Sequence, residues 1–262
     1  MNILVLDISA SYAFFKIPEG TRSSYSFPFP PKTAIIGLLA GIIGEDRNQY
    51  WNDDDKFSNL KIGLQILSDV STIPIKFNYW RSRSTITVEG YKFVLPGDVK
   101  DRGYTTQVKL DFLTDVKYRI FIGIESLTDW EDLVNRLQEK RYYYPPYLGH
   151  ANLLAEIDFI GYFNSNNITN GNYSTIIPKS ALDNDIEVDY SNIGGFKIVY
   201  GVPTKYKAEE ITVNDYKRWN NSLIKSESFI IPPFSKNLSL SLHEGFGFSI
   251  NFNNEVVNIC LF

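Results

Sequence analysis

The chain is predicted to have an α+β fold, and three features of its 262 residues carry this prediction. Apolar residues alternate with a period of two at the start of the chain, which is typical of a half-buried strand. Two later stretches have the composition or spacing of helices, and each is followed by further alternating stretches. A hydrophobic content of 44% against 21% charged residues is that of an ordinary globular protein, not of a disordered chain.

The first strand is predicted at Asn2–Lys16, and the first helix follows it after a polar, proline-rich loop. Neighbouring prolines suit the first turn of a helix but not its interior, so the helix is expected to begin near Pro31–Lys32. Its pattern is compatible with a continuation past Gly44 through Tyr50 and Trp51.

Small and aromatic side chains surround this first helix. Gly37 and Gly41 lie within it, and we expect them to let the helix pack closely on a sheet. Phe27 and Phe29 precede it, and their rings could either be buried in the core or stack on bases.

Three further β regions are predicted downstream. Leu60–Tyr79, Tyr118–Ile124 and Leu153–Phe163 are β-prone and alternate in strand fashion. Residues 81–108 hold glycines and prolines between short β-prone pieces, which suits a projecting hairpin.

The second helix is predicted to begin with a capping box formed by Thr128 and Glu131. Trp130, Leu133 and Leu137 follow one another at helical spacing, so one face of this helix is expected to be buried. The order of elements is therefore βαββαβ. This is the ferredoxin-like, RRM-like arrangement, with both helices on one face of an antiparallel sheet.

A polar, turn-rich segment at Asn164–Asn172 is predicted to end this first domain. The chain then divides into a ferredoxin-like domain at residues 1–164, with an insert at about residues 79–108, and a small β-rich domain at residues 165–262.

Composition argues against several kinds of site. Cys260 is the only cysteine and there are two histidines, so we expect no disulfide framework, no metal site and no cofactor. No apolar run approaches the roughly 20 residues that span a bilayer, and no signal peptide is evident. We therefore expect a cytoplasmic protein with no membrane contact.

The formal net charge of -4 argues mildly against nucleic acid, but the charge is unevenly distributed. The segment from Lys76 to Lys109 carries seven basic and three acidic residues. A basic segment on an acidic body suits either a localised anion contact or a merely solvated hairpin.

The start of the first helix is expected to meet the phosphates of an RNA. First-turn amides have no partner within a helix and form a ready anion site, although water often satisfies them. The residues just before the helix add charge, hydroxyls and an aromatic ring, and the insert interleaves aromatic with basic residues. Lys117 and Arg119 could face either RNA or solvent. The predicted RNA contacts are Lys16, Arg22, Ser23, Ser24, Tyr25, Lys32, Thr33, Trp80, Arg81, Arg83 and Lys92.

Four places in the chain resemble one family, the fifth numbered family of CRISPR-associated proteins, here called the Cas-five family. It is a subunit of the Cascade surveillance complex and belongs to the RAMP superfamily. FFKIPEGTRSSYSFPFPPKTAIIGLLAGIIG is similar to its amino-terminal signature. FLTDVKYRIFI, at residues 112–122, resembles a second segment, although Val116 stands where proline is usual. PPYLGHANLLAEI, at residues 145–157, resembles a third, and the basic insert stands where the family carries its thumb.

The resemblance covers residues 1 to about 160 and implies a role in antiviral defence. It implies a subunit that binds and caps the 5′ handle of the crRNA, with its thumb between the handle and the first guide segment. The partners implied are the backbone subunit and the large subunit, with target DNA reached indirectly through the complex. The length and the motif wording look more like the type I-B variants than those of type I-E.

Type I-C relatives in this family cut pre-crRNA themselves, so an endoribonuclease is the alternative function. A metal-independent attack by a 2′-OH needs a general base and acid, usually His, Lys or Tyr. His150 follows the Tyr-Leu-Gly turn, where a structural role is expected, and His243 precedes only a short glycine motif. We therefore predict no catalytic residues and no enzyme activity. A protein–protein adaptor without RNA contact is a third possibility, and the amino-terminal motif argues against it.

Overall fold

The computed structural model describes residues 1–18, 25–46, 50, 56–57, 59–80, 84–88, 91–95, 105–183, 196–213 and 216–262. Its fold is mixed α+β and mostly strand, as the sequence predicts. The elements are β1 (Asn2–Ala13), α1 (Lys32–Ile43), β2 (Lys61–Ile66), β3 (Ser71–Trp80), β4 (Ser84–Val88), β5 (Tyr91–Leu95), β6 (Thr105–Ile124), α2 (Glu131–Gln138), β7 (Glu156–Asn167), β8 (Asn170–Tyr173), β9 (Ile177–Pro178), β10 (Lys197–Val213), β11 (Tyr216–Ile231), β12 (Leu238–Ser241), β13 (Gly247–Phe252) and β14 (Glu255–Cys260).

The main sheet has the strand order β12-β8-β14-β13-β7-β1-β6-β2. In its central part β1 pairs antiparallel with both β6 and β7, and β2 pairs antiparallel with β6. The long strands β10 and β11 form a hairpin that β9 extends to a three-stranded sheet.

The strand predicted at Tyr118–Ile124 corresponds to β6. It is longer than predicted, because it begins at Thr105. Its first half pairs with β3 from Ser71↔Thr114 to Trp80↔Thr105, and its second half pairs with β2. Within the insert, β4 and β5 pair with each other as a two-stranded hairpin.

The helix α1 begins at Lys32 after Pro31, as predicted, but it does not continue to Tyr50. Gly44 ends it in the left-handed conformation, at φ 85°, and its amide bonds the Ala40 carbonyl. The amides of Tyr143 and Tyr144 then bond the carbonyls of Ile42 and Gly41 at 3.0 and 3.1 Å. These bonds satisfy carbonyls of the last helical turn, which have no partner within the helix. Trp51 lies outside the described residues.

The predicted capping box at Thr128 is wrong. Thr128–Trp130 form a short 3-10 turn, α2 begins at Glu131, and neither element has a side-chain cap. Thr128 lies inside this turn, because the Trp130 amide bonds the carbonyl of Leu127 at 3.1 Å. The predicted buried face is confirmed, because Trp130, Leu133 and Leu137 are buried.

The segment Asn164–Asn172 is not the loop that its composition suggested. Its first residues belong to β7, whose end pairs with β13 at Asn167↔Phe248, and its last residues belong to β8. Backbone pairing with neighbouring strands outweighs the low strand preference of asparagine there. The division of the chain at residue 164 stays a prediction.

The turn that contains Leu148 and Gly149 holds the end of β1. The Phe14 amide donates to the Leu148 carbonyl at 3.1 Å, and the Leu148 amide donates to the Leu153 carbonyl at 3.0 Å. Gly149 has φ 95°, and a Cβ added to it would lie 1.7 Å from the carbonyl oxygen of Phe14. Only glycine fits this position.

We predict that Gly149→Ala lowers the free energy of unfolding by about 2–4 kcal/mol, because the methyl group collides with backbone and the left-handed conformation is strained. Gly41→Ala is the matched control. Apart from the helix's own backbone, no heavy atom of the described residues would lie within 4 Å of a Cβ at Gly41, so alanine there is expected to stabilise the helix by up to about 1 kcal/mol. Denaturant unfolding measures both. Equal effects of the two variants would contradict this account of the turn.

Candidate nucleic-acid interface

The structure brings two of the predicted RNA contacts together after β1. Lys16 forms an antiparallel bridge with Ser26, and the Ile17 amide donates to the Tyr25 carbonyl at 3.0 Å. Lys16 and Tyr25 are both exposed, and Tyr25 keeps 58% of its surface accessible. An exposed cation and an exposed ring in this arrangement can contact a phosphate and an unpaired base.

The other predicted contacts in the loop and the insert fall into two groups. Arg22, Ser23, Ser24, Arg81 and Arg83 lie outside the described residues. The backbone of Trp80 ends β3, and the backbone of Lys92 lies in β5.

Lys32 and Thr33, at the start of α1, do not form one surface. Thr33 is buried and lines a groove on one side of the helix, whereas Lys32 lines a separate cavity. The Lys32 ammonium donates to the backbone oxygen of Phe262 at 2.8 Å. The predicted anion site consists of amides at the start of α1. Two of the amides there, those of Ala34 and Ile35, donate to the Pro31 carbonyl at 2.9 and 3.1 Å.

The cavity beside Lys32 has a volume of about 430 Å³, and we call it the lysine pocket. Lys61 of β2, Lys205 of β10 and Lys225 of β11 line it together with Lys32, and Glu227 and Glu244 are its acidic lining residues. These elements are far apart in sequence, so no spacing signal predicted that their lysines meet.

The lysine pocket changes the protonation of Lys32. Burial lowers the pKa of its ammonium from the ordinary value of 10.5 to about 8, and the positive charges of Lys225, Lys61 and Lys205 add to this effect. The pocket therefore brings positive charge around the partly buried Lys32 ammonium, whereas Lys61 and Lys225 are themselves exposed.

The groove on the other side of α1 has a volume of about 900 Å³, and we call it the tyrosine groove. Gly37 and Gly41 line its floor, and the prediction that both glycines pack closely on the sheet is wrong. Among the described residues outside the helix's own backbone, an added Cβ at Gly37 would meet the Tyr50 hydroxyl at 3.5 Å, and one at Gly41 would meet no heavy atom within 4 Å. Tyr144, Tyr147 and Leu154 are exposed along its rim, at 54%, 43% and 63%.

Other side chains that were open to two interpretations are placed in the core or on the surface. Phe27 and Phe29 are buried core residues. Arg119 forms a bidentate ion pair with Asp7 at 2.7 and 2.9 Å, and its guanidinium lies 4.6 Å from the centre of the Phe252 ring. Lys117 is exposed.

The two histidines lie in different settings. The His150 ring packs 5.3 Å from the Phe14 ring and 6.4 Å from the Phe112 ring, between centroids. His243 is exposed, and its backbone forms a turn with Phe246. Among the residues that the structure describes, no group of three or more His, Cys, Asp or Glu side chains is arranged to hold a metal.

Neither described helix is long and apolar enough to cross a membrane.

Comparison with known proteins links the chain to one family. The model of the family described as CRISPR-associated protein (Cas_Cas5), which is the Cas-five family, matches residues 3–210. A chain of a CRISPR RNA-guided surveillance complex has a similar fold, with a TM-score of 0.51, 11% sequence identity, and coverage of 90% of this chain and 91% of that chain. A CRISPR protein from Archaeoglobus fulgidus aligns with 99% of both chains at 14% identity and a TM-score of 0.43. No curated protein matches the chain.

The pKa of Lys32 predicts how stability depends on pH. Between pH 8 and 10.5 the unfolded chain binds more protons at this residue than the folded chain, so raising the pH stabilises the fold through Lys32. As the pH rises across this range, the free energy of unfolding of the natural chain is expected to increase by about 2 kcal/mol relative to that of a Lys32→Gln variant. Urea unfolding at several pH values measures the difference. Lys236→Gln, at an exposed lysine outside the pocket, is the control, and parallel pH curves for the natural and Lys32→Gln chains would contradict the prediction.

Proposed function

This chain belongs to the Cas-five family of CRISPR-associated proteins, and we propose that it is a non-catalytic Cascade subunit that binds and caps the 5′ handle of the crRNA. The observation that carries the proposal is the family match, because it extends over residues 3–210. The TM-score of 0.51 to a chain of an RNA-guided surveillance complex supports a shared fold.

The arrangement of the strands supports a ferredoxin-like RAMP unit with a thumb. The central sheet order β7-β1-β6-β2 is antiparallel throughout, with α1 following β1 and α2 following β6. The β4–β5 hairpin lies within the predicted insert at about residues 79–108, and the ribbon of β3 with the first half of β6 flanks this insert in the chain, which supports a thumb there. We propose that the basic residues of this insert contact the crRNA backbone.

The tyrosine groove is the place we propose for unpaired bases of the handle. Single-stranded RNA is recognised through bases that stack on aromatic rings, and the rim offers the exposed rings of Tyr144 and Tyr147. The glycines of the floor leave room for a base or ribose to approach the backbone of α1. Glu45 and Asp46 line one part of the groove, where a carboxylate can accept a hydrogen bond from a base amino group or a ribose hydroxyl.

None of the described residues that line this groove is a lysine or an arginine, so we propose that the phosphates of the handle are contacted by cations beside it. Lys16 and Tyr25, which the structure brings together, are exposed and suit that role. The predicted contacts Arg22, Ser23 and Ser24 precede Tyr25 directly in the sequence. Phosphate contacts of this kind fix the position of an RNA without selecting its sequence.

The endoribonuclease remains the alternative. Packing of His150 against two phenylalanine rings supports a structural role for it, and His243 is an exposed turn residue. Incubation of the purified chain with repeat RNA and a chelator discriminates the two functions. Specific cleavage that is lost in a His150 or His243 variant would favour the alternative.

We further propose that the chain works in the cytoplasm within a type I-B complex. Its direct partners there are the crRNA, the backbone subunit and the large subunit, and target DNA is reached through the complex.

We predict that Tyr144→Ala weakens binding of a crRNA handle by about tenfold, because one base loses its stacking partner. Tyr144→Phe keeps the ring and is expected to bind as the natural chain does. Tyr162→Ala is the matched control, since Tyr162 is 53% exposed but does not line the groove. Fluorescence anisotropy with labelled handle RNA at fixed salt measures the affinities. The same loss in Tyr162→Ala, or no loss in Tyr144→Ala, would overturn the assignment of the groove.

A further inference from the structure

Glu45 places a carboxylate at a position that does not favour it. It follows Gly44 directly at the C-terminal end of α1, where the helix dipole favours cations over anions. The last turn of the helix holds no basic residue, and no described residue forms a hydrogen bond or an ion pair with the Glu45 carboxylate. Glu45 is half-buried and lines the tyrosine groove. Its oxygens are therefore open to a ligand that lies in the groove.

The backbone at Glu45 is held in a defined position. Its amide donates to the Ala40 carbonyl at 3.0 Å, as does the Gly44 amide at 2.9 Å, and Gly44 is in the left-handed conformation. Bonds of this kind close the end of a helix and fix the direction in which the chain leaves it. The carboxylate is therefore anchored beside the glycine floor of the groove.

The tyrosines of the rim are tied to the same helix end. The Tyr144 amide donates to the Gly41 carbonyl at 3.1 Å, and the centres of the Tyr143 and Tyr144 rings lie 4.9 Å apart in an edge contact. A Cβ added to Gly44 would lie 2.6 Å from the Tyr143 ring, so this ring packs directly on the turn that precedes Glu45. An exposed ring, a glycine floor and a carboxylate thus meet around one end of α1.

Among the RNA bases, guanine matches a carboxylate best. Its Watson–Crick edge carries two neighbouring donors, the N1–H and the 2-amino group, and a carboxylate offers two oxygens that only accept. Adenine and cytosine each present one amino donor beside a ring nitrogen that repels a carboxylate, and uracil presents one N–H between two carbonyl oxygens. A phosphate is repelled by the same negative charge, so a base and not the backbone is expected next to Glu45.

We propose that Glu45 selects a guanine base in the tyrosine groove, with the base stacked on Tyr144 and its N1–H and 2-amino group bonded to the carboxylate. Asp46 also lines the groove, but it already takes part in another interaction, so the base is assigned to Glu45. The inference rests on the proposed role of the groove in binding bases of the handle. It adds a sequence preference to that role.

The test measures, by fluorescence anisotropy at fixed salt, how the full chain binds short oligouridylates that carry one guanosine at each position in turn. The best of them is expected to bind about tenfold tighter than the all-uridine strand, because guanine gains a bidentate bond to a charged group. Inosine lacks the 2-amino group, so replacing the guanosine by inosine is expected to lose most of this gain. In Glu45→Gln the guanosine preference is expected to disappear, because the glutamine NH₂ group opposes one of the two guanine donors.

Glu125→Gln is the matched control and is expected to keep the natural preference, since Glu125 is an exposed glutamate that does not line the groove. Circular dichroism checks that both variants are folded. The inference is overturned if guanosine and uridine strands bind the natural chain equally, or if the preference survives in Glu45→Gln. In either case a loss of affinity in Tyr144→Ala leaves the groove with its proposed role. If Tyr144→Ala binds every strand as the natural chain does, the groove assignment fails and the inference fails with it.

Discussion

Burial of β1 on both faces is the constraint on which the rest of the structure depends. Successive side chains of a strand point to opposite faces, and here both faces are covered. Leu4, Leu6 and Ile8 pack in the core that contains the α1 residues, whereas Ile3 and Val5 pack against rings and aliphatic groups of β13 and β14. Asp7 lies opposite Arg119 across the β1–β6 pair, and its carboxylate satisfies the guanidinium in a bidentate contact. The loop and the helix that follow β1 take their positions from this strand.

The helix α1 contributes residues to two cavities of different chemical character. Its first residue reaches into a pocket of lysines, and its glycines form the floor of a groove that has exposed tyrosines on its rim. The segment that supplies Tyr144 also bonds the last carbonyls of the helix, so the rim and the floor of the groove are held in one arrangement. The two surfaces differ in their chemistry, because lysines line the pocket and exposed tyrosine rings line the groove, where we propose that bases stack.

Local features of the fold could be predicted from the sequence, and features that depend on distant pairing could not. Pro31 marks the start of α1, and the spacing of Trp130, Leu133 and Leu137 marks the buried face of α2. The sequence predicts close packing for the glycines of α1, because glycine has the same appearance in a sequence whether it faces another element or an open groove. The composition of segment 164–172 predicts a loop, because its pairing with β13 and β12 joins residues about 65–85 positions away and leaves no local signal.

The candidate site could likewise be predicted only where it depends on local sequence. The sequence singles out Lys32 by its place at a helix start, but the three lysines that join it come from β2, β10 and β11, and only the tertiary fold brings them together.

The central claim, that the chain caps the crRNA handle, is tested most directly by nuclease footprinting of the crRNA in complexes assembled with and without this subunit. The account predicts that the 5′ handle is protected only when the subunit is present, while the guide stays protected in both. Equal protection of the handle in both complexes would contradict it.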